Sequence, residues 1–173
     1  MTLLFFAFTA AGAIVFQTTF TQYFFDWTGG RPDVMLLVTL YIGVQRGTES
    51  GLATGFFLGL LQDILSGGLL GANALTKGLL GHLTGGLVRS IGRRNWFFIA
   101  ALGFFTTVFD LVGWAMLSAL FQPHIGLKAG FWVASLKTVV LNAILAPFAF
   151  HMLSLIEGRI VPSSLNVPYP DRF

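Results

Sequence analysis

The chain contains no cysteine, and only 10% of its 173 residues are charged. Without cysteine there is no disulfide, no thiolate nucleophile and no thiolate metal ligand. Soluble domains carry a charge on about a quarter of their residues, so this charged fraction excludes an ordinary soluble protein. The residues that are present, 55% of them hydrophobic with a mean hydropathy of +0.79, indicate a protein that crosses a membrane several times.

Catalytic and ligand-binding motifs are also lacking. The sequence has no HExxH zinc motif, no GxSxG nucleophile motif and no phosphate-binding loop, and its three histidines are not at metal-ligand spacing. Two aspartates in apolar segments are typical of intramembrane aspartyl proteases, but the residues that flank Asp63 and Asp110 lack the motifs of that family. We therefore expect no enzyme, no cofactor, no metal site and no nucleic-acid partner.

Apolar segments and turn residues divide the chain into six predicted helices, at about 3–25, 33–46, 48–66, 71–88, 95–121 and 127–157. Together they form one all-α transmembrane domain, residues 1–158, and the proline-containing tail 159–173 is expected in the cytoplasm. The second helix spans only roughly 20 Å, less than the roughly 30 Å of a hydrocarbon core. A compact bundle of six transmembrane helices is expected. The alternative is five membrane crossings, in which this second helix is re-entrant.

Small residues at four-residue intervals predict where helices pack closely. They are Gly47, Gly51, Gly55 and Gly59 around the third helix, and Gly81 and Gly85 on the fourth. In a soluble helix each interior glycine would cost roughly 0.5 to 1 kcal/mol relative to alanine, whereas in lipid such a stripe lets two backbones approach. These glycines either seal the bundle or bind a transmembrane helix of a partner, and the phenylalanine-rich first helix is another candidate binding surface.

Four ionisable residues lie inside the apolar segments, and these are Asp63, Lys77, Asp110 and Lys137. Each costs at least about 2.5 to 3.5 kcal/mol at a helix centre unless it finds a partner or water. Counting from the turns puts Asp63 and Lys77 at depths of roughly 6 and 9 Å, and Asp110 and Lys137 both at roughly 15 Å. The sequence therefore predicts two intramembrane ion pairs, Asp63 with Lys77 and Asp110 with Lys137. We interpret them as contacts that fix helix packing, with a polar pathway or binding cavity as the alternative.

The arginines indicate how the chain is oriented. Arg89, Arg93 and Arg94 form a basic loop after the fourth helix. With six crossings and a cytoplasmic amino terminus, six arginines lie inside against Arg31 and Lys128 outside. With five crossings and an external amino terminus, the count is seven against one. Both arrangements place the basic loop and the carboxyl terminus in the cytoplasm.

The order of several motifs resembles that of a known family. A helix start at Pro32-Asp33, a glycine-rich helix that reaches Asp63 and a turn at Gly71 before a polar-studded helix resemble the rod shape-determining protein MreD. The resemblance extends over nearly the whole chain. It implies a non-catalytic, multi-pass protein of the bacterial inner membrane, in contact with membrane lipid.

The same resemblance implies the biological role and the partners. The role is that of a scaffold in the machinery that builds lateral peptidoglycan and sets cell shape. The implied partners are MreC, which crosses the membrane once, the actin-like MreB, the glycosyltransferase RodA and its transpeptidase. Self-association of the chain is left open.

A second class of membrane protein has a similar size and helix number. The substrate-binding subunits of energy-coupling vitamin transporters resemble MreD in general architecture, and their small-xxx-small pattern on the first helix is matched weakly by Ala7 and Ala11. Such a subunit should enclose an outward-facing cavity lined by aromatic and hydrogen-bonding groups. A scaffold should instead have a packed interior and a larger exposed surface for partners.

Overall fold

The computed structural model describes residues 2–91, 95–122 and 129–160, and these residues form six α-helices and no strand. The helices are α1 (Thr2–Thr28), α2 (Val34–Arg46), α3 (Thr48–Ser66), α4 (Ala72–Ile91), α5 (Trp96–Phe121) and α6 (Ala129–Ile160). Their number and order agree with the sequence prediction, and each end lies within one helical turn of the predicted one. The tail beyond residue 160 lies outside the described residues, so its cytoplasmic location stays a prediction.

The short helix α2 is the centre of the bundle. It packs against all five other helices, which follow one another around it in the order α1, α6, α5, α4, α3. Ten of its thirteen residues, 35–44, are buried. A helix that is hydrophobic on all sides is stable where all its sides are covered. Because protein surrounds α2, this helix need not match the thickness of the hydrocarbon core.

The two ends of α2 are fixed by local interactions. Asp33 is the N-cap residue, and its Oδ1 accepts a hydrogen bond from the backbone N–H of Leu36 at 2.9 Å. Pro32 precedes this cap, so the helix start predicted at Pro32-Asp33 lies just before the first helical residue, Val34. At the other end Gly47 alone separates α2 from α3, with a φ of 90° that favours glycine.

The outer surface of the bundle is apolar, whereas part of its interior is polar. On α4 the residues exposed at four-residue steps are Leu75, Leu79, Leu83 and Leu87, and large apolar side chains are likewise exposed on α3, α5 and α6. Monomeric soluble proteins rarely expose apolar surface of this extent. Among the described residues, α5 and α6 are each long and apolar enough to cross a membrane, and α2 is apolar but shorter. The fold is therefore that expected of an all-helical membrane bundle.

Candidate functional site

Helices α3 and α4 approach so closely that only glycine fits at their contact. An added β-carbon would overlap a backbone carbonyl oxygen of α4 at three positions of α3, namely Gly51 against Gly81, Gly55 against Lys77, and Gly59 against Asn73. Gly85 packs in the same way against Gly47 and Thr48. These glycines form what we call the glycine seam. It lies between α3 and α4 inside the bundle, so it is not available to a helix of a partner.

Asp63 lies at the end of the glycine seam and closes the turn between α3 and α4. Its side chain is buried and accepts hydrogen bonds from the backbone N–H groups of Gly71 (2.8 Å), Asn73 (3.2 Å) and Ala74 (3.2 Å). The side-chain amide of Asn73 donates a fourth, at 2.7 Å. The unpaired N–H groups and the dipole of a helix N-terminus both stabilise a carboxylate. Two residues of the family pattern, Asp63 and Gly71, are thus joined directly.

Lys77 lies in the middle of the bundle and binds two carboxylates on other helices. Its Nζ is 2.9 Å from Oδ2 of Asp33, at the start of α2, and 2.8 Å from Oδ2 of Asp110 on α5. It also donates to Oδ1 of Asn73 at 3.1 Å, and Asp110 accepts a further hydrogen bond from the hydroxyl of Thr76 at 2.8 Å. The Lys77 side chain is 0% exposed. Its buried charge is therefore compensated by three oxygen acceptors, as a buried ammonium requires.

The two predicted ion pairs are wrong in their partners. Asp63 and Lys77 do not pair, because Asn73 lies between them and forms a hydrogen bond with each. Asp110 and Lys137 do not pair either, since Asp110 binds Lys77. Lys137 is exposed, and its Nζ lies beside Gly29 in the connection between α1 and α2. Counting residues gives the depth of a side chain but not the direction in which it points around its helix.

Further hydrogen bonds extend this network to the remaining helices. Oδ1 of Asn142, on α6, accepts from the backbone N–H of Asp33 at 3.0 Å, and its Nδ2 donates to the hydroxyl of Thr107 on α5 at 3.0 Å. Oε1 of Gln17, on α1, accepts from the backbone N–H of Val34 at 3.0 Å. All six helices thus meet around the N-terminus of α2. We call the central residues the polar cluster; they are Asp33, Asp63, Asn73, Lys77, Asp110 and Asn142.

A cavity of about 600 Å³ lies beside the polar cluster. Asp33 and Asp110 line it, together with an aromatic pair, Trp114 and Phe131, whose ring centres are 5.7 Å apart. Its volume falls within the roughly 300 to 1,000 Å³ of small-molecule sites. In the sequence analysis a binding cavity was the alternative to simple packing contacts. The sequence could not locate such a cavity, because its lining residues come from all six helices and their connections.

A second polar contact, which sequence reasoning missed, fixes the opposite end of α2. Glu157 on α6 accepts a hydrogen bond from the hydroxyl of Tyr41 at 2.5 Å and forms an ion pair with Arg46 at 2.7 Å. More than a hundred residues separate these partners, and neither has a sequence pattern that indicates the other. Of the basic loop, Arg93 and Arg94 lie outside the described residues, as does the side chain of Arg89.

The apolar outer surface, the buried polar cluster and two helices of membrane-spanning length define a helical membrane protein. Within the described ranges, no three histidine, aspartate or glutamate side chains come together as a metal site would require. The family model for the rod shape-determining protein MreD matches residues 1–157, and the chain belongs to this family of membrane proteins of the cell-shape machinery. No curated protein and no solved structure matches the chain.

Proposed function

We propose that the chain is a non-catalytic scaffold of the cell-wall elongation machinery in the bacterial inner membrane. It binds MreC and helps to organise peptidoglycan synthesis in a larger complex with MreB, RodA and the transpeptidase of RodA. The observation that carries this proposal is the family match over residues 1–157, since that family determines rod shape. The bundle suits such a role, because ion pairs and hydrogen bonds join its helices and large apolar side chains remain exposed to lipid or to other transmembrane helices.

The proposed topology is multi-pass, with the carboxyl terminus in the cytoplasm. The positive-inside rule places the basic loop on the same side, where it faces anionic lipid or a cytoplasmic filament. The cavity lies at the other end of the bundle, near the connection between α3 and α4, and so faces the outside of the cell. Because the glycine seam is used inside the bundle, α1 becomes the first candidate for a partner surface. Among the described residues its main contacts are with α2 and α6, and it exposes Phe8, Phe20, Tyr23 and Trp27.

Depletion of the chain from a rod-shaped cell that carries it tests the proposal. Cells that lose the protein are expected to become round, and a plasmid-borne copy is expected to restore rods, because lateral wall synthesis would lack an organising component. Cell length and width are measured by microscopy. Cells that keep their rod shape but fail to take up a vitamin would contradict the scaffold and support a transporter subunit.

The cavity favours this second candidate function. Aromatic and hydrogen-bonding groups around a space of about 600 Å³ are what a substrate-binding subunit of a vitamin transporter requires. The discriminating observation is the combination of a copurifying small molecule with an importer ATPase module. A copurifying small molecule together with elongation proteins would instead indicate a scaffold that also binds a ligand.

A further inference from the structure

The cavity is bordered by more buried negative than positive charge. Asp33 and Asp110 both line it, and among the described residues Lys77 is the one cation that pairs with them. The two carboxylates share one buried ammonium, and the other cation that lines the cavity, Arg31, is exposed, so carboxylate oxygens predominate in the buried part of a space large enough for a small molecule. A charge in such a place is costly unless it is compensated, so the cavity favours a cationic ligand over a neutral or anionic one.

Two further polar atoms at the cavity wall lack a hydrogen-bond partner within the described part of the chain. They are the hydroxyl oxygen of Thr21 on α1 and Oε1 of Gln62 on α3, and both are buried. Thr21 is only 6% exposed. The Nε2 of Gln62 donates to Asp33 at 3.4 Å, which leaves Oε1 as an unused acceptor near that carboxylate. A buried polar group without a partner costs roughly 1 to 3 kcal/mol, so these atoms point to a bound hydrogen-bond donor.

The remaining wall suits the apolar part of an organic cation. Trp114 and Phe131 stack on each other and present aromatic surface to the cavity, and aromatic rings attract cations through their faces. At the exposed edge of the cavity, Arg31 lies with its guanidinium carbon 4.4 Å from the ring centre of Phe25. A ligand with a cationic amine at one end and an anionic group at the other would therefore meet complementary charge at both ends.

We propose that this cavity binds a primary-ammonium compound, with its ammonium group held by Asp33 and Asp110 and by the free acceptor of Gln62. Two sources supply this chemistry, namely a soluble amine and the headgroup of an aminophospholipid. Either source fits the same lining residues. The proposal does not depend on the scaffold function, because it concerns only what the cavity holds.

Binding to the full-length protein, purified in detergent and depleted of lipid, tests the proposal. The probes are ethanolamine and, in nanodiscs, phosphatidylethanolamine; ethylene glycol and phosphatidylglycerol are the matched probes without an amine. Native mass spectrometry and thermal unfolding are expected to show saturable binding of at least one amine probe. Binding of ethanolamine without phosphatidylethanolamine identifies a soluble source, and binding of phosphatidylethanolamine, with or without ethanolamine, identifies a headgroup. Absence of binding by both amines, or equal binding of the amine-free probes, would overturn the proposal.

Matched variants test whether binding occurs in this cavity. Thr21→Val and Gln62→Leu each remove one acceptor and are expected to weaken amine binding about fivefold, the effect of losing one hydrogen bond of about 1 kcal/mol. Thr19→Val changes an exposed threonine of the same helix that does not line the cavity, and it is expected to bind like the wild type. Trp114→Leu should also weaken binding, whereas Trp132→Leu, at an exposed position, should not. Unchanged binding in Thr21→Val, Gln62→Leu and Trp114→Leu would place the amine elsewhere and overturn the assignment.

Discussion

Lys77 joins three helices of the bundle through its side chain. It holds the start of α2, the middle of α5 and Asn73 on its own helix through one buried ammonium group. Replacing a buried ion pair by apolar residues can be neutral, but removing one partner leaves the other charge uncompensated. Here two carboxylates would be left facing each other. The stability of the bundle should therefore depend on this lysine far more than on any exposed one.

Lys77→Ala is expected to lower the free energy of unfolding by about 3 to 5 kcal/mol, the usual cost of breaking a buried ion pair. Lys137→Ala is the matched control, because Lys137 is also a lysine within an apolar helix but is exposed and forms no ion pair among the described residues. Its effect should stay within about 0.5 kcal/mol. Denaturant unfolding in detergent, followed by circular dichroism, measures both. Equal losses in the two variants would contradict the central position of Lys77.

Sequence reasoning identified the buried charges but not their partners. Asp63, Lys77 and Asp110 are indeed buried, as charges inside apolar segments should be. Their pairing depends on rotation about the helix axes, which packing determines and which counting along the chain does not reveal. Lys137 and Asn142 are both on α6, five residues apart, and Lys137 is exposed whereas Asn142 is buried.

At the scale of the helices, the glycine seam and the polar cluster depend on each other. The carbonyl oxygen that Gly55 contacts belongs to Lys77, and the one that Gly59 contacts belongs to Asn73. The close approach of α3 and α4 thus sets the position from which Lys77 reaches α2 and α5. Any side chain that separates α3 from α4 should also disturb the ion pairs of Lys77.

Gly55→Ala is expected to destabilise the protein by about 1 to 3 kcal/mol. The new methyl group would overlap the backbone carbonyl of Lys77, which cannot move without moving the rest of α4. Gly78→Ala is the control on the facing helix. There the added β-carbon would meet Phe56 at an ordinary contact distance of 3.5 Å, so the change should be neutral or stabilising by up to about 1 kcal/mol. Thermal unfolding of both variants in the same detergent compares them. A Gly55→Ala protein as stable as Gly78→Ala would contradict the seam.

The helix ends were predictable because local residues set them, such as the N-cap Asp33 and Gly67 with its positive φ after α3. The central position of α2 was not predictable. A short helix that is apolar on every side fits both a protein core and a lipid environment. Only the packing of five other helices around it distinguishes the two cases.

At the scale of the whole molecule, the interior combines an apolar core around α2 with the polar cluster, and the outer surface is largely apolar. The interior contains an ion-pair network and a cavity, and the outer faces carry exposed leucine, phenylalanine and tryptophan side chains. The described residues thus combine a stable bundle with apolar faces that other membrane helices can contact. This arrangement agrees with a family that acts in cell-shape determination, and we attribute its action to the partners that it brings together.

Affinity purification of the full-length chain from gently solubilised membranes, with the copurifying proteins identified by mass spectrometry, tests this account most directly. A scaffold of the elongation machinery is expected to bring down MreC, with MreB, RodA and the transpeptidase in smaller amounts. Lys77→Ala, in which the bundle is disrupted, should lose these proteins, whereas Lys137→Ala should retain them. Recovery of an importer ATPase module without any elongation protein would contradict the account.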